Sequence, residues 1–207
     1  MQIELHNIGK RFNREWIFKD VNFSFDQSER TAIIGSNGSG KSTLLKIISA
    51  AEIPSSGKLI VSDENRVNIA LNDIFSRISF AAPYADLPEE LSPSEIFNLT
   101  NSFNPFHSSV DLDRFLDLTY LKDSSDKFIR YFSSGMKQRL KLGLAICSNS
   151  NILLLDEPCS NLDSKGISTY YNLMEEFTDG KIVIIGSNEQ KEEMIGVNRS
   201  LNIMDYK

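Results

Sequence analysis

The chain has 207 residues, a length that suits one well-packed domain. Its 22 Lys and Arg against 28 Asp and Glu give a formal net charge of −6, which argues against a nucleic-acid binder that relies on a basic face. The longest apolar runs, such as residues 152–155, are far shorter than the roughly 20 residues of a membrane-spanning helix. We therefore expect a single cytoplasmic domain over residues 1–207, without a leader peptide and with Cys147 and Cys159 as reduced thiols.

The first third of the chain predicts strands on either side of a glycine-rich loop. Residues 3–8 and 21–25 are strand-like, and the second of these segments alternates apolar and polar residues with period two. Residues 31–34 form a short apolar strand, and the apolar spacing from Lys41 onward indicates a helix. A turn at 54–57 precedes another short strand at 58–61.

The middle of the chain, about 86–131, is predicted to be helical and rich in loops. Ser92, Pro93 and Glu95 have the spacing of a capping box with proline in the first helical position. Buried strands at 152–155 and 181–185 flank a predicted helix at 164–177. Because buried strands alternate with helices, the fold class is α/β with a mainly parallel sheet.

A glycine-rich loop follows the strand at 31–34 and has the pattern Gly-x4-Gly-Lys-Ser/Thr. Its glycines allow successive N–H groups to point at a polyphosphate, and the following helix adds its positive N-terminal end. Lys41 would reach the β and γ phosphates, and the Ser42 hydroxyl would bind Mg²⁺. The predicted nucleotide-binding residues of the loop are Gly35, Ser36, Asn37, Gly38, Ser39, Gly40, Lys41, Ser42 and Thr43.

Two adjacent carboxylates, Asp156 and Glu157, follow the buried strand at 152–155. Ligands of open α/β sheets bind at the carboxyl ends of the strands, where these side chains would lie. We expect Asp156 to bind Mg²⁺ directly or through one of the ion's own ligands, and Glu157 to polarise an attacking water. The guanine-reading segment Asn-Lys-x-Asp is absent, which argues against a GTPase.

A third motif, residues 131–139, precedes these carboxylates and resembles the signature of the ATP-binding cassette (ABC) ATPases, Leu-Ser-Gly-Gly-Gln. Residues 160–163 are similar to the D-loop of that family, which places Asp163 across a dimer seam. Phe12 matches the aromatic residue that stacks on adenine, with Trp16 as a nearby alternative. The signature positions that the resemblance implies are Ser133, Ser134, Gly135 and Met136.

The resemblance implies a P-loop NTPase core with an N-terminal antiparallel β subdomain and an inserted helical subdomain, at about 84–145. Two departures from the family pattern stand out. Pro83 occupies the position of a glutamine that senses the metal and the attacking water, and proline has neither a side-chain amide nor an N–H. Asn188 occupies the position of a histidine that contacts the γ-phosphate; asparagine donates a hydrogen bond but cannot carry a proton. We expect an active but slow ATPase, with Glu157, Lys41 and Asn188 as its catalytic residues.

The resemblance further implies the ATP- and Mg²⁺-binding subunit of an ABC transporter, located peripherally on the cytoplasmic face of the membrane. A second copy or a homologous cassette would complete each ATP site head to tail, and a separate multi-span permease would contact the region between Pro83 and Ser94, including Tyr84, Leu87 and Pro88. A soluble superfamily member acting in repair, translation or cluster assembly is the alternative, and a P-loop nucleotide kinase is a third interpretation. Direct contact with nucleic acid is not expected.

Overall fold

The computed structural model describes residues 1–207. An antiparallel sheet is formed by β1 (Gln2–Phe12), β2 (Glu15–Asp26) and β4 (Ser56–Ser62), in the order β2-β1-β4. Both N-terminal strands extend beyond their predicted bounds. Bulges after Leu5 and Ile8 shift the register and interrupt the period-two pattern, so the sequence pattern shows only part of each strand. The expected antiparallel N-terminal sheet is confirmed.

A second sheet of five strands is entirely parallel. It contains β3 (Arg30–Ile34), β5 (Ile78–Ala81), β6 (Ile152–Asp156), β7 (Ile182–Ser187) and β8 (Arg199–Asn202), in the order β5-β6-β7-β3-β8. The predicted mainly parallel sheet is confirmed. Because β6, β7 and β3 are neighbours, the loops that follow them meet at one edge of the sheet.

Five helices pack against the parallel sheet or against one another. They are α1 (Lys41–Ile48), α2 (Pro93–Phe103), α3 (Leu112–Thr119), α4 (Ser134–Ile146) and α5 (Ser164–Phe177). The predicted capping box is present at α2, where the Ser92 hydroxyl accepts from the Glu95 N–H and the Glu95 carboxylate accepts from the Ser92 N–H. Short 3₁₀ segments are present at Leu71–Arg77, Lys122–Ser124, Ile129–Tyr131 and Ile203–Tyr206.

Two hydrophobic cores lie on opposite faces of the parallel sheet. Successive strand residues alternate between them: Leu153 and Leu155 pack against the α2–α5 side, whereas Ile152 and Leu154 pack against α1 and the antiparallel sheet. Every residue of β6 is buried. This burial on both faces explains the continuous apolar run in the sequence and fixes the positions of the strand ends.

A buried lysine joins α4 to the parallel sheet. Lys181, just before β7, donates from Nζ to the carbonyl oxygens of Ile146 and Ser148 at 3.0 and 2.6 Å, which satisfies groups at the C-terminal end of α4. Cys147 lies at the same helix end and is buried, as is Cys159; the two cysteines form no disulfide.

Burial lowers the pKa of Lys181 from 10.5 to about 8. The unfolded state therefore binds more protons than the folded state between these two values, and Lys181 makes the free energy of unfolding rise as pH increases through this interval. We predict that the stability of the wild type relative to Lys181→Met increases by about 2 kcal/mol between about pH 7.5 and about pH 10, measured by urea unfolding. If the difference in free energy of unfolding between the wild type and Lys181→Met stays constant over this pH range, the lowered pKa of Lys181 is contradicted.

Candidate functional site

The glycine-rich loop predicted to bind phosphates connects β3 to α1. Gly40 precedes α1 with φ of 107°, and a Cβ there would lie 2.6 Å from Cγ2 of Ile17. No side chain caps the first turn of α1, so its N–H groups remain available to an anion. The loop encloses a cavity of about 280 Å³, lined by residues 37–43 together with Ile17 and Glu157. Gly35 and Ser36 line an adjoining cavity with Asn37, Asn188 and Glu189.

Lys41 is almost fully buried and is held by three oxygen atoms. Its Nζ donates to the carbonyl oxygens of Gly35 and Ser36 at 2.9 and 3.1 Å, and to Oδ1 of Asn188 at 2.5 Å. The amide of Asn188 in turn donates to Oε1 of Glu157 at 3.0 Å. The three residues predicted to be catalytic, Lys41, Asn188 and Glu157, are thus brought together in one hydrogen-bonded chain.

Sheet register explains this convergence. Asp156 pairs with Gly186 across β6 and β7, and Ser187 pairs with Ile34 across β7 and β3. The residues that follow these pairs, Glu157, Asn188 and Gly35, therefore leave the sheet side by side. Glu157 has φ of 43°, which is unusual for a residue with a Cβ, and its N–H donates to the carbonyl oxygen of Gly186 at 2.8 Å.

Asp156 and Ser42 form the part of the site expected to hold a metal. Asp156 is 1% exposed, and its Oδ1 has no hydrogen-bond partner. Burial raises the pKa of Asp156, and the hydroxyls of Ser42 and Tyr84 beside it oppose that effect. An unpaired buried carboxylate oxygen beside a hydroxyl is the donor set that Mg²⁺ accepts. The residues present therefore fit this ion, which commonly takes its remaining ligands from water and phosphate.

The signature and D-loop residues form a second cluster. Ser133 is the N-cap of α4 and accepts from the Met136 N–H at 3.2 Å, as the predicted helix start requires. A Cβ on Gly135 would lie 3.2 Å from the carbonyl oxygen of Asn161. Asp163 caps α5 within the chain by accepting from the Gly166 N–H. None of Ser133, Ser134, Gly135, Met136 and Asp163 lines the cavity at the phosphate loop.

The two aromatic candidates for adenine stacking have different environments. Phe12, at the end of β1, is 49% exposed, and the Lys10 ammonium lies 5.1 Å from its ring centroid. Trp16 packs over Gly9, where an added Cβ would lie 2.9 Å from its Cζ3. Its neighbour Ile17 faces the phosphate loop. Phe12 is therefore the more exposed of the two candidates, since Trp16 is half-buried.

The sequence does not assign to this site three residues that the structure places near it. Glu193 is fully buried and accepts from the Ser187 hydroxyl at 2.6 Å and the Cys159 N–H at 3.2 Å, which connects the segments that follow β7 and β6. Burial raises the pKa of Glu193, and these two donors oppose the effect. Gln138, also buried, donates to the Pro158 carbonyl oxygen at 2.9 Å and so joins the signature helix to the same region. The third is Tyr84, which directly follows Pro83; burial and the negative charge of Asp156 raise the pKa of its hydroxyl.

Pro83 is fixed in place through its carbonyl group. Lys141 on α4 donates from Nζ to the carbonyl oxygens of Pro83 and Ala82 at 2.6 and 3.3 Å.

A larger apolar groove, about 780 Å³, lies at the end of α1 and along β4, and none of the predicted site residues lines it. The candidate site is therefore defined by its polar geometry rather than by cavity size.

Comparisons with known proteins agree with this geometry. The sequence model of the family described as "ABC transporter" matches residues 18–160. The uncharacterized ABC transporter ATP-binding protein YcbN of Bacillus subtilis is 27% identical over 98% of the chain, and the spermidine/putrescine import ATP-binding protein PotA of Fusobacterium nucleatum is 32% identical over 79%. The chain spans 68% of YcbN and 44% of PotA.

Solved structures of ABC transporter cassettes have the same fold as this chain. A bacterial ABC transporter cassette solved as a dimer is 25% identical, with a TM-score of 0.77, and the match covers 94% of this chain and 91% of that one. No helix of the present structure has the length and apolar character needed to cross a membrane. The family match, the shared fold and the site geometry together establish that this chain belongs to the ABC transporter family.

Proposed function

We propose that this chain is an ATP-binding and ATP-hydrolysing subunit that drives transport through separate membrane subunits by ATP-dependent closure of a head-to-tail dimer. The observation that carries the proposal is the hydrogen-bonded chain Lys41–Asn188–Glu157 at the wall of the phosphate-loop cavity. It joins a phosphate-binding cation to a carboxylate that can act as a base. Relatives named as ATP-binding proteins of importers support the transport role over the soluble alternatives.

Phosphate binding is local rather than a result of overall charge, because the net charge is −6. The N–H groups of residues 35–43 and the α1 N-terminus would receive the polyphosphate. The Lys41 ammonium donates hydrogen bonds to carbonyl and amide oxygens, and on nucleotide binding it would donate to phosphate oxygens instead. Ser42 and Asp156 would hold Mg²⁺, which neutralises charge on the phosphates when it is bound.

Hydrolysis would depend on Glu157. Its Oε1 is oriented by the Asn188 amide, and its carboxylate lines the cavity in which a water could attack the terminal phosphate. Asn188 positions this carboxylate and can donate to a phosphate oxygen, but it takes up no proton. With Pro83 in place of an amide side chain, we propose that turnover is slow.

A complete site requires a second cassette. The residues Ser133, Ser134, Gly135 and Met136 do not line the phosphate cavity of their own chain, and Ser134 is exposed. A head-to-tail dimer would place these residues and the Asp163 segment against the nucleotide of the partner. The dimeric cassette of similar fold supports this arrangement, with either a second copy or a homologous cassette as the partner.

The membrane partner would dock beside the segment between Pro83 and Ser94. A cleft of about 300 Å³ lies between β5, α2 and α4, and Leu87 lines it. Tyr84 is 47% exposed at the entrance to this segment. We propose that this surface, with Tyr84, Leu87 and Pro88, contacts a multi-span permease, and that the subunit is peripheral on the cytoplasmic face of the membrane.

Removal of the proposed base tests hydrolysis directly. We predict that Glu157→Gln lowers steady-state ATP turnover by about 100-fold or more, because an amide cannot accept the proton of the attacking water. ATP binding measured by calorimetry should stay within about threefold of the wild type, because the phosphate cradle is unchanged. Glu175→Gln, which makes the same charge change at an exposed position on α5, is the matched control and should leave turnover unchanged. Equal turnover in Glu157→Gln and wild type, or no turnover in a wild type that binds ATP, would refute the ATPase assignment.

The adenine contact is tested by comparing two aromatic residues. Phe12→Ala should weaken ATP binding by about tenfold, because base–aromatic stacking contributes about 1–3 kcal/mol. Trp16→Ala should leave ATP affinity within about twofold, because Trp16 packs over Gly9 instead. Calorimetric titration of both variants with ATP measures the two losses of affinity. A larger loss of ATP affinity in Trp16→Ala than in Phe12→Ala would assign the stacking role to Trp16.

A further inference from the structure

Lys10 is a buried lysine near the end of β1, two residues before the proposed adenine contact Phe12. Its Nζ donates to Oε1 of Glu52 at 2.5 Å and to the carbonyl oxygen of Ile53 at 2.8 Å. The same ammonium lies 5.1 Å from the centroid of the Phe12 ring. Lys10 is only 8% exposed, so these three contacts stand in for the water that a lysine ammonium usually binds.

The fixed ammonium acts on the orientation of the Phe12 ring. An ammonium has three N–H donors, and two of those on Lys10 are directed at oxygen atoms. The face of an aromatic ring attracts a cation within about 6 Å of its centroid. Because the two oxygens hold the charge in place, this attraction favours one position of the more mobile ring. About half of Phe12 remains exposed and is available to a nucleobase.

The segment that holds Lys10 is itself connected to α1, whose first turn lines the phosphate cavity. The Glu52 N–H donates to the Lys46 carbonyl oxygen at 3.1 Å, which ties this segment to the last turn of α1. Ser55 holds the backbone of β1: its N–H donates to the Gly9 carbonyl oxygen at 2.8 Å, and its Oγ accepts from the Arg11 N–H at 3.1 Å. Hydrogen bonds thus connect the phosphate-binding helix to the end of β1.

We propose that Lys10 is a positioning residue for the nucleobase, which holds the Phe12 ring in place relative to the phosphate loop. This inference rests on the proposed ATP-binding function and on Phe12 as the adenine contact. In this role Lys10 acts through Phe12 and is not a ligand of the phosphates. A ring that is ordered before binding loses less conformational freedom when the base stacks on it, which strengthens binding of the nucleotide but not of a bare phosphate chain.

Two ligands separate an effect on the base from an effect on the phosphates. ATP and inorganic tripolyphosphate, each with Mg²⁺, are titrated into the purified full chain by calorimetry. Lys10→Met removes the ammonium but keeps a long side chain, and it should weaken ATP binding by about three- to fivefold, because the cation–π contact is lost. Its affinity for tripolyphosphate should equal that of the wild type, because the phosphate loop is unchanged.

A double-mutant cycle tests whether Lys10 acts through Phe12. In a Phe12→Ala background, Lys10→Met should cause no further loss of ATP affinity, because there is no ring left to orient. The variant Lys10→Met/Glu52→Gln leaves no carboxylate without its partner, which protects the fold. It should show the same loss of ATP affinity as Lys10→Met alone.

Lys19→Met is the matched control. Lys19 lies on β2, and its Nζ is also 5.1 Å from the centroid of an aromatic ring, that of Trp16. Lys19 is exposed, however, and its ring is the one not assigned to adenine. This variant should keep the wild-type affinity for both ATP and tripolyphosphate.

The outcomes separate this inference from the proposed function. Unchanged ATP affinity in Lys10→Met, while Phe12→Ala weakens ATP binding, overturns the role of Lys10 and leaves the proposed function intact. Equal losses for ATP and tripolyphosphate, or a loss that persists in the Phe12→Ala background, also overturn it, since Lys10 would then support the fold in general. A wild type that binds no ATP overturns the proposed function and this inference with it.

Discussion

The order of the parallel strands is the constraint on which the site depends. Strands β6, β7 and β3 are adjacent, so their carboxyl ends present Glu157, Asn188 and the phosphate loop in one place. The strands are buried on both faces by two hydrophobic cores, and a shift in their register would move these residues relative to one another. The packing of the core therefore also determines where the proposed catalytic residues lie.

The chemistry at this edge depends on a buried cation and a buried carboxylate. Lys41 is buried and satisfied by two carbonyl oxygens and the Asn188 amide oxygen. Asp156 keeps one oxygen unpaired, with Ser42 and Tyr84 beside it. A buried cation and a buried carboxylate suit the phosphates and the metal of a nucleotide, respectively. The acidic composition of the chain is compatible with this, since the positive potential is provided by one lysine and oriented N–H groups.

Much of this arrangement could be predicted from the sequence. The phosphate loop, the strand that ends at Asp156, the capping box of α2 and the start of α4 all have local signals, because turn and capping residues act over three or four positions. The extents of β1 and β2 could not be predicted, because bulges and exposed residues interrupt their periodicity. Glu193 lies in a run of polar residues that is indistinguishable from a solvated loop, yet it is fully buried by contacts with Ser187 and Cys159. The sequence predicts Tyr84 only as a surface contact, because its position near Asp156 depends on how β5 pairs with β6.

The central claim is that an ATP site is completed by the signature segment of a second cassette, and mixing two defective chains tests it most directly. Lys41→Ala removes the phosphate-binding cation, and Ser134→Arg blocks the exposed start of α4, so each chain alone should be inactive. When the two are mixed, one site of each mixed dimer combines an intact phosphate loop with an intact signature, and ATP turnover should recover to roughly a quarter of the wild type. A mixture as inactive as its components, or full turnover by Ser134→Arg alone, would contradict the account.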